Sequence, residues 1–206
     1  MKVAVVGGTG DFGLALARVL VEAGEEVVIG SRDRARAEAK ADEVGATGAV
    51  NEDAVRGVDL VVLAVKADAA LPTAELLAAA IGGTPVLSVA SELRFTKEGV
   101  HPSEDGRSIA ERTQDLLRAP VVAGLHSLAA ASLGGGKANG DALVCGDDAD
   151  AKSRALELAA QVVSGRALDA GPLASARALE GMTAVIVNLN RRYRGGHAGV
   201  RIVGLP

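Results

Sequence analysis

The chain has 206 residues, 49% of them hydrophobic, a formal net charge of -4 and an isoelectric point near 5.4. That is one domain, or one domain with a small appendage, with enough apolar residues for a sizeable core. An acidic balance with only 1% aromatics excludes the basic footprint and stacking platforms of nucleic-acid binders, and no apolar run approaches the ~18 residues of a membrane span. Lys2 leads straight into a short strand without a signal-peptide pattern, and the single cysteine, Cys145, has no internal disulfide partner. A cytoplasmic protein that binds neither nucleic acid nor membrane is therefore expected.

In chain order, Lys2 to Val6 predicts a buried strand. Gly8-Thr9-Gly10-Asp11-Phe12-Gly13 follows with G-x-G-x-x-G spacing, and Leu14 to Ala23 continues as a helix. Gly8 is expected at the tight turn. Gly10 lets the backbone approach a pyrophosphate, and Gly13 lets the helix pack close to the strand. The pyrophosphate is expected on the free amides of the helix N-terminus. Glu25 to Ile29 is the second strand, and it ends in Gly30-Ser31-Arg32 rather than in an acid. An acid there would bind a ribose 2′-hydroxyl and repel a 2′-phosphate. Ser31 and Arg32 instead offer a hydroxyl, an amide and a guanidinium, which suit a phosphate. Arg34 and Arg36 add positive charge one turn on, although both also fit as solvated residues of the helix that Asp33 begins. The segment predicts NADP(H) rather than NAD(H).

Beyond it, the pattern predicts a helix over 34–44, a short strand over 46–50, an N-cap at Asn51 and a buried strand over 58–65. A helix over 72–80 and a fifth strand over 85–89 come next. The polar stretch 92–107 reads as a surface loop, followed by a helix over 108–118 and a sixth strand over 121–125. After the Gly134-Gly135-Gly136 loop come a strand (141–146), a helix (149–163), a short strand (167–169) and a last helix over about 172–192. This alternation predicts an α/β, Rossmann-like, doubly wound and mostly parallel sheet. Residues 1–126 are expected to form the NADP-binding domain, and 127–206 a small α/β C-terminal extension. Cys145 lies in an apolar strand and reads as core. Asp147, Asp148 and Asp150 read as charges on the first turn of the next helix, and no His/Cys spacing supports a metal.

The crevice beyond the strand ends at the switch point is where ligands bind in such sheets. That makes candidates of Gly7 to Phe12, Val65-Lys66, Ala90-Ser91 and His126-Ser127. His126 could donate a hydrogen bond to a ring carbonyl, carry a proton, or simply cap the next helix.

Several of these segments resemble one family over almost the full length. They are Gly7-Gly8-Thr9-Gly10-Asp11-Phe12-Gly13, Gly30-Ser31-Arg32, Asn51-Glu52-Asp53-Ala54, Val144-Cys145-Gly146-Asp147-Asp148, Leu168-Asp169-Ala170-Gly171-Pro172-Leu173 and Gly199-Val200-Arg201-Ile202. Together they look like the NADPH:coenzyme F-420 (F420) oxidoreductases. F420 is an 8-hydroxy-5-deazaflavin with a phospholactyl-oligoglutamate tail. The resemblance implies hydride exchange between NADPH and F420, with Thr9, Ser31, Arg32 and Arg36 on the 2′-phosphate. It further implies His126-Ser127 near the reacting rings, a C-terminal extension, 127–206, that completes the second-cofactor site with a tail over 195–202 helping to close it, and a homodimer. The chain departs from the family pattern at Lys66-Ala67, where Pro-Trp is frequent, at the segment 89–94, and at Leu128-Ala129-Ala130, where a proline is usual. All three departures surround the second cofactor. Other readings of the same scaffold are an NADPH-dependent reductase of a flavin, imine or carbonyl, and a non-catalytic NADP sensor.

Overall fold

The computed structural model describes residues 1–194 and 197–205. In chain order the elements are β1 (Lys2–Val6), α1 (Asp11–Glu22), β2 (Glu26–Ser31), α2 (Arg34–Asp42), β3 (Thr47–Val50), α3 (Asn51–Ala54), β4 (Leu60–Leu63), α4 (Ala67–Ile81) and β5 (Val86–Ser88). A short hairpin of β6 (Leu93–Phe95) and β7 (Val100–Pro102) follows. The chain then forms α5 (Ile109–Leu116), β8 (Val121–Gly124), α6 (Ala130–Leu133), β9 (Ala142–Gly146), α7 (Ala149–Val162), β10 (Ala167–Asp169), a 3₁₀ turn (Leu173–Ser175) and α8 (Ala176–Tyr193).

Eight strands form one sheet in the order β10-β9-β8-β5-β4-β1-β2-β3. Every neighbouring pair is parallel except β8 and β9, which run antiparallel. Both faces are covered, so the strands read as continuous apolar runs rather than as alternations. Val3 and Val5 on one face pack with Leu16 and Leu20 of α1 and Leu158 of α7. Ala4 and Val6 on the other pack with Leu77 of α4, Ile109 of α5 and Leu179 of α8. Each fully buried leucine of this kind contributes about 1.5–3 kcal/mol. The chain leaves β1 toward β2 and β3, then returns to lay β4 on the other side of β1, so the switch point lies between β1 and β4.

Four local expectations are corrected. The stretch 92–107 is not a plain loop: it carries the β6–β7 hairpin, clamped from α8 by Asn188, whose Nδ2 donates to the Val100 carbonyl at 2.7 Å while its Oδ1 accepts from Val100 N at 2.9 Å. Helix α4 begins at Ala67 and carries Pro72 inside it. Its Ala70, Ala74, Leu77 and Ile81 bury one face, and this packing offsets the backbone bond that a proline cannot make. Asn51 is the first helical residue of α3, capped by Val50, rather than an N-cap. Ala130–Leu133 forms a short helix that the sequence did not reveal.

Candidate functional site

The turn after β1 is built by glycines, but with different duties from those expected. The left-handed residue is Gly7, at φ +80°, not Gly8. Gly8 is required by space: a Cβ there would lie 2.8 Å from the Val5 carbonyl oxygen and 3.0 Å from Ile29. A Cβ on Gly13 would lie 2.6 Å from the Gly7 oxygen, so the absence of a side chain is what lets α1 sit against the turn. Gly10 meets nothing nearer than 3.4 Å and is exposed, leaving the mouth of the loop open to a ligand. Asp11 and Phe12 begin α1, and first-turn amides have no partner within a helix.

At the end of β2, the Ser31 hydroxyl accepts from Asp33 N at 3.2 Å, and Asp33 caps α2 by accepting from Arg36 N at 3.1 Å. The three arginines then part ways. Arg34 is spent on Asp53 at 2.8 Å and on Glu38 at 4.0 Å. Arg32 and Arg36 have no acid partner among the described residues, and both are exposed. They line a cavity of about 510 Å³ together with Thr9, Gly10, Ser31 and Asn51. The Asn51 side-chain oxygen is buried there without a hydrogen-bond partner. Those two guanidinium groups beside the Ser31 hydroxyl are chemistry that suits a phosphate.

A second cavity of about 730 Å³ adjoins the first. The segment Ala64-Val65-Lys66, together with Asp68, lines both. Phe12, Ala90, Ser91, Leu125, Leu128 and Thr183 complete much of the second cavity, and His126 also reaches it. Its surface is mostly apolar, and both phenylalanines of the chain, Phe12 and Phe95, line it.

His126 is 5% exposed, and its Nε2 lies 3.3 Å from the Ala90 carbonyl oxygen. A carbonyl only accepts, so Nε2 carries the proton and Nδ1 is bare; Nδ1 is buried without a partner. Burial pulls the imidazole down to about 4, against a smaller upward pull from the Ala90 bond. The ring is therefore neutral at physiological pH with its one N–H already used. Leu125, just before it, is a non-glycine residue at φ +65°, a strained conformation of the kind found where chains converge on a site.

Two expected residues point elsewhere. Ser127 is 2% exposed, donates its hydroxyl to the Asp141 carbonyl at 3.2 Å and lines neither cavity. The tail turns away too: Val200 O accepts from Asp141 N at 2.7 Å, and Ile202 N donates to the Asp141 carboxylate at 2.8 Å. Residues 197–202 line neither cavity because Asp141 and Arg166 hold them at the loop before β9. Gly195 and Gly196 of that expected segment lie outside the described residues.

Cys145 is buried, and its thiol is pushed up to about 12 by burial, which leaves no thiolate at neutral pH. Asp148 caps α7 through Ala151 N at 2.8 Å, and Asp147 accepts from Leu173 N at 2.9 Å. Among the described residues no acid, histidine or cysteine cluster could hold a metal. Asn51, Phe95 and Thr183 line the cavities without having stood out in the sequence as site residues, and Thr183 comes from farthest along the chain. Its signal was faint: with Glu180 it is one of two polar residues three apart on the α8 stretch that buries Leu179, Ala184 and Ile186.

Comparison with known proteins bears on this geometry. Residues 2–92 match a family described as NADP oxidoreductase, coenzyme F420-dependent. A protein named F420-dependent NADP reductase from Methanothermobacter marburgensis is 35% identical in an alignment covering 100% of both chains. One of the same name from Methanocaldococcus jannaschii is 33% identical, over 100% of this chain and 99% of that one. Among solved structures, a candidate F420-dependent NADP-reductase from Arthrobacter sp. fb24 superposes with a TM-score of 0.85 at 24% identity, covering 99% of this chain and 100% of that one. An imine reductase from Streptomyces aurantiacus shares the fold, with a TM-score of 0.63 at 23% identity over 94% of this chain and 62% of its own.

Proposed function

We infer that the chain, which belongs to the coenzyme F420-dependent NADP oxidoreductases, is an oxidoreductase that transfers a hydride between NADP(H) and coenzyme F420. The observation that carries this reading is identity of about a third, end to end, with reductases of that name. The residues present fit both ligands. Arg32 and Arg36 have no acid partner among the described residues and stand beside an open phosphate loop, and a mostly apolar cavity adjoins at the switch point.

When bound, the nicotinamide and the deazaflavin supply the reacting carbons and the electron pair, and transfer needs those carbons about 3–3.5 Å apart. The protein's part is to bind, orient and exclude water. We assign the pyrophosphate to the loop Gly8–Gly13, through the amides of Asp11 and Phe12, with Gly10, whose own N–H donates to the Gly7 carbonyl at 3.0 Å, leaving the space for it, and the 2′-phosphate to Thr9, Ser31, Arg32 and Arg36. Val65 and Lys66 form the wall common to both ligands, with Ala90 and His126 flanking the second one. His126 positions: it is neutral, and its N–H holds the Ala90 carbonyl. Leu128 and Thr183 reach the second cavity from residues 127–206, which supports that half as the part completing the second-cofactor site.

A homodimer belongs to the same reading. Val185, Leu189 and Tyr193 lie four apart on α8 and are 56%, 40% and 73% exposed, an apolar stripe suited to a second copy. A cytoplasmic location belongs to the same reading, because NADP(H) is an intracellular cofactor; no helix among the described residues is long and apolar enough to cross a membrane.

The test is the visible absorbance of oxidised F420 mixed with the protein and NADPH or NADH. Rapid bleaching with NADPH alone is expected. Normal NADPH binding without bleaching overturns the assignment of the acceptor and leaves the dinucleotide fold intact.

A further inference from the structure

Thr183 sits on α8, far in sequence from both loops that it touches. Its Oγ1 lies 2.8 Å from the Ser91 hydroxyl and 2.9 Å from the His126 carbonyl oxygen. A threonine hydroxyl has one proton, and a carbonyl can only accept. The Thr183 proton therefore goes to His126, and Ser91 must donate its own proton to Thr183. His126 in turn donates through Nε2 to the carbonyl of Ala90, the neighbour of Ser91. The circuit joins the segment after β5, the segment after β8 and the C-terminal helix. It closes beside Leu125, whose left-handed backbone is held from outside rather than by its own preference.

Ser91 and Thr183 both line the second cavity. With its only proton committed, Ser91 can offer that cavity lone pairs and nothing else. We propose that Thr183 is a positioning residue that orients Ser91 as an obligate acceptor, so that Ser91 recognises an N–H donor on the second ring, the imide N–H of a pyrimidinedione such as a deazaflavin carries. The inference rests on the F420 reading. It adds a specificity-determining residue, Ser91, and the residue that sets its polarity.

The test is equilibrium binding of oxidised F420 without nucleotide, followed by its fluorescence, for the wild type, Thr183→Val, Thr183→Ser and Ser91→Ala. The same titrations are run with a deazaflavin methylated at the imide nitrogen. Loss of one neutral hydrogen bond should weaken F420 binding about 3- to 10-fold in Thr183→Val and Ser91→Ala. NADPH affinity should stay within about twofold, since its cavity is lined by neither residue. Thr183→Ser keeps the hydroxyl and should bind as the wild type does. The wild type should discriminate against the methylated ring, and Ser91→Ala should not. Unchanged F420 binding in Thr183→Val overturns the proposal, as does discrimination that persists in Ser91→Ala. A wild type that neither binds nor bleaches F420 overturns the functional reading and this inference with it. Wild-type binding with unaltered variants overturns this inference alone.

Discussion

The guanidinium of Arg36 reaches from the first turn of α2 to the Thr9 carbonyl in the phosphate loop, with Nη2 3.5 Å from the oxygen. Two elements that would grip different phosphates of one dinucleotide are thus bridged by a residue able to touch both. Arg32→Ala and Arg36→Ala should each weaken NADPH binding by about tenfold or more, since a charge-assisted hydrogen bond is worth about 1.5–3 kcal/mol. NADH binding should change little in Arg32→Ala, and less than NADPH binding in Arg36→Ala. Arg34→Ala should stay within about twofold, because Arg34 is held by Asp53 and Glu38. Nucleotide titrations of the three variants check this, and equal losses in all three would refute the division of labour.

Gly10 and Gly13 should fail in different ways. A Cβ on Gly13 would stand 2.6 Å from the Gly7 oxygen and 2.8 Å from the Gly8 Cα, both backbone, so α1 would have to move. Gly13→Ala should cost about 1–3 kcal/mol of stability, read as a lowered Tm. Gly10→Ala has room and an extended backbone at φ -86°, so its Tm should hold while NADPH affinity falls.

Two buried groups set opposite limbs of the stability–pH curve. The folded protein keeps His126 near 4 against an ordinary 6.5 because of burial, so between those values only the unfolded chain takes up the proton. Stability is therefore lost as pH falls through that window. Glu180, 4% exposed, accepts from Ala110 N at 3.3 Å, and burial pushes it up to about 7 from 4.5. Here the folded protein holds a proton that the unfolded chain releases, so stability is lost as pH rises from 4.5 through 7. Each limb amounts to roughly 3 kcal/mol. Glu180→Gln keeps the acceptor and should raise Tm at pH 8 but not at pH 4.5. In NMR titrations of the folded protein, the His126 ring should show no protonation above pH 5.

The apolar stripe of α8 gives a fourth expectation. Val185→Asp together with Leu189→Asp should convert a dimer to a monomer in sedimentation, with NADPH affinity retained, since neither residue lines the nucleotide cavity. A wild type that already sediments as a monomer would remove the homodimer from the functional reading.

How far the sequence could be read depended on how local each cause was. β1, α1 and β2 were legible because their apolar runs and glycines act within one unit, and Ser31-Arg32 carries its preference in two neighbouring side chains. The turn was assigned one residue late because Gly7 and Gly8 are alike in sequence. Only the fold shows that Gly7 takes the positive φ while Gly8 yields space to Val5 and Ile29. The β6–β7 hairpin was illegible: its strands have three residues each and include Arg94, His101 and Pro102, and their register is fixed by Asn188 from far along the chain. The same distance hid Thr183. His126 is legible in the sequence as a candidate, but whether it donates to a ligand depends on a carbonyl 36 positions away.

The stretch Ala64-Val65-Lys66 belongs to both cavities, and a Cβ on Gly7 would come within 2.6 Å of the Ala64 oxygen, so this wall is thin and closely backed. On the proposed assignment of one ligand to each cavity, the two ligands share this wall. In steady-state terms the two must be on the enzyme together, and double-reciprocal plots should intersect rather than run parallel. The same sharing makes mismatched pairs self-defeating. Two oxidised ligands, or two reduced ones, fill both berths with nothing to exchange, so throughput would fall as the two pools approach the same redox state.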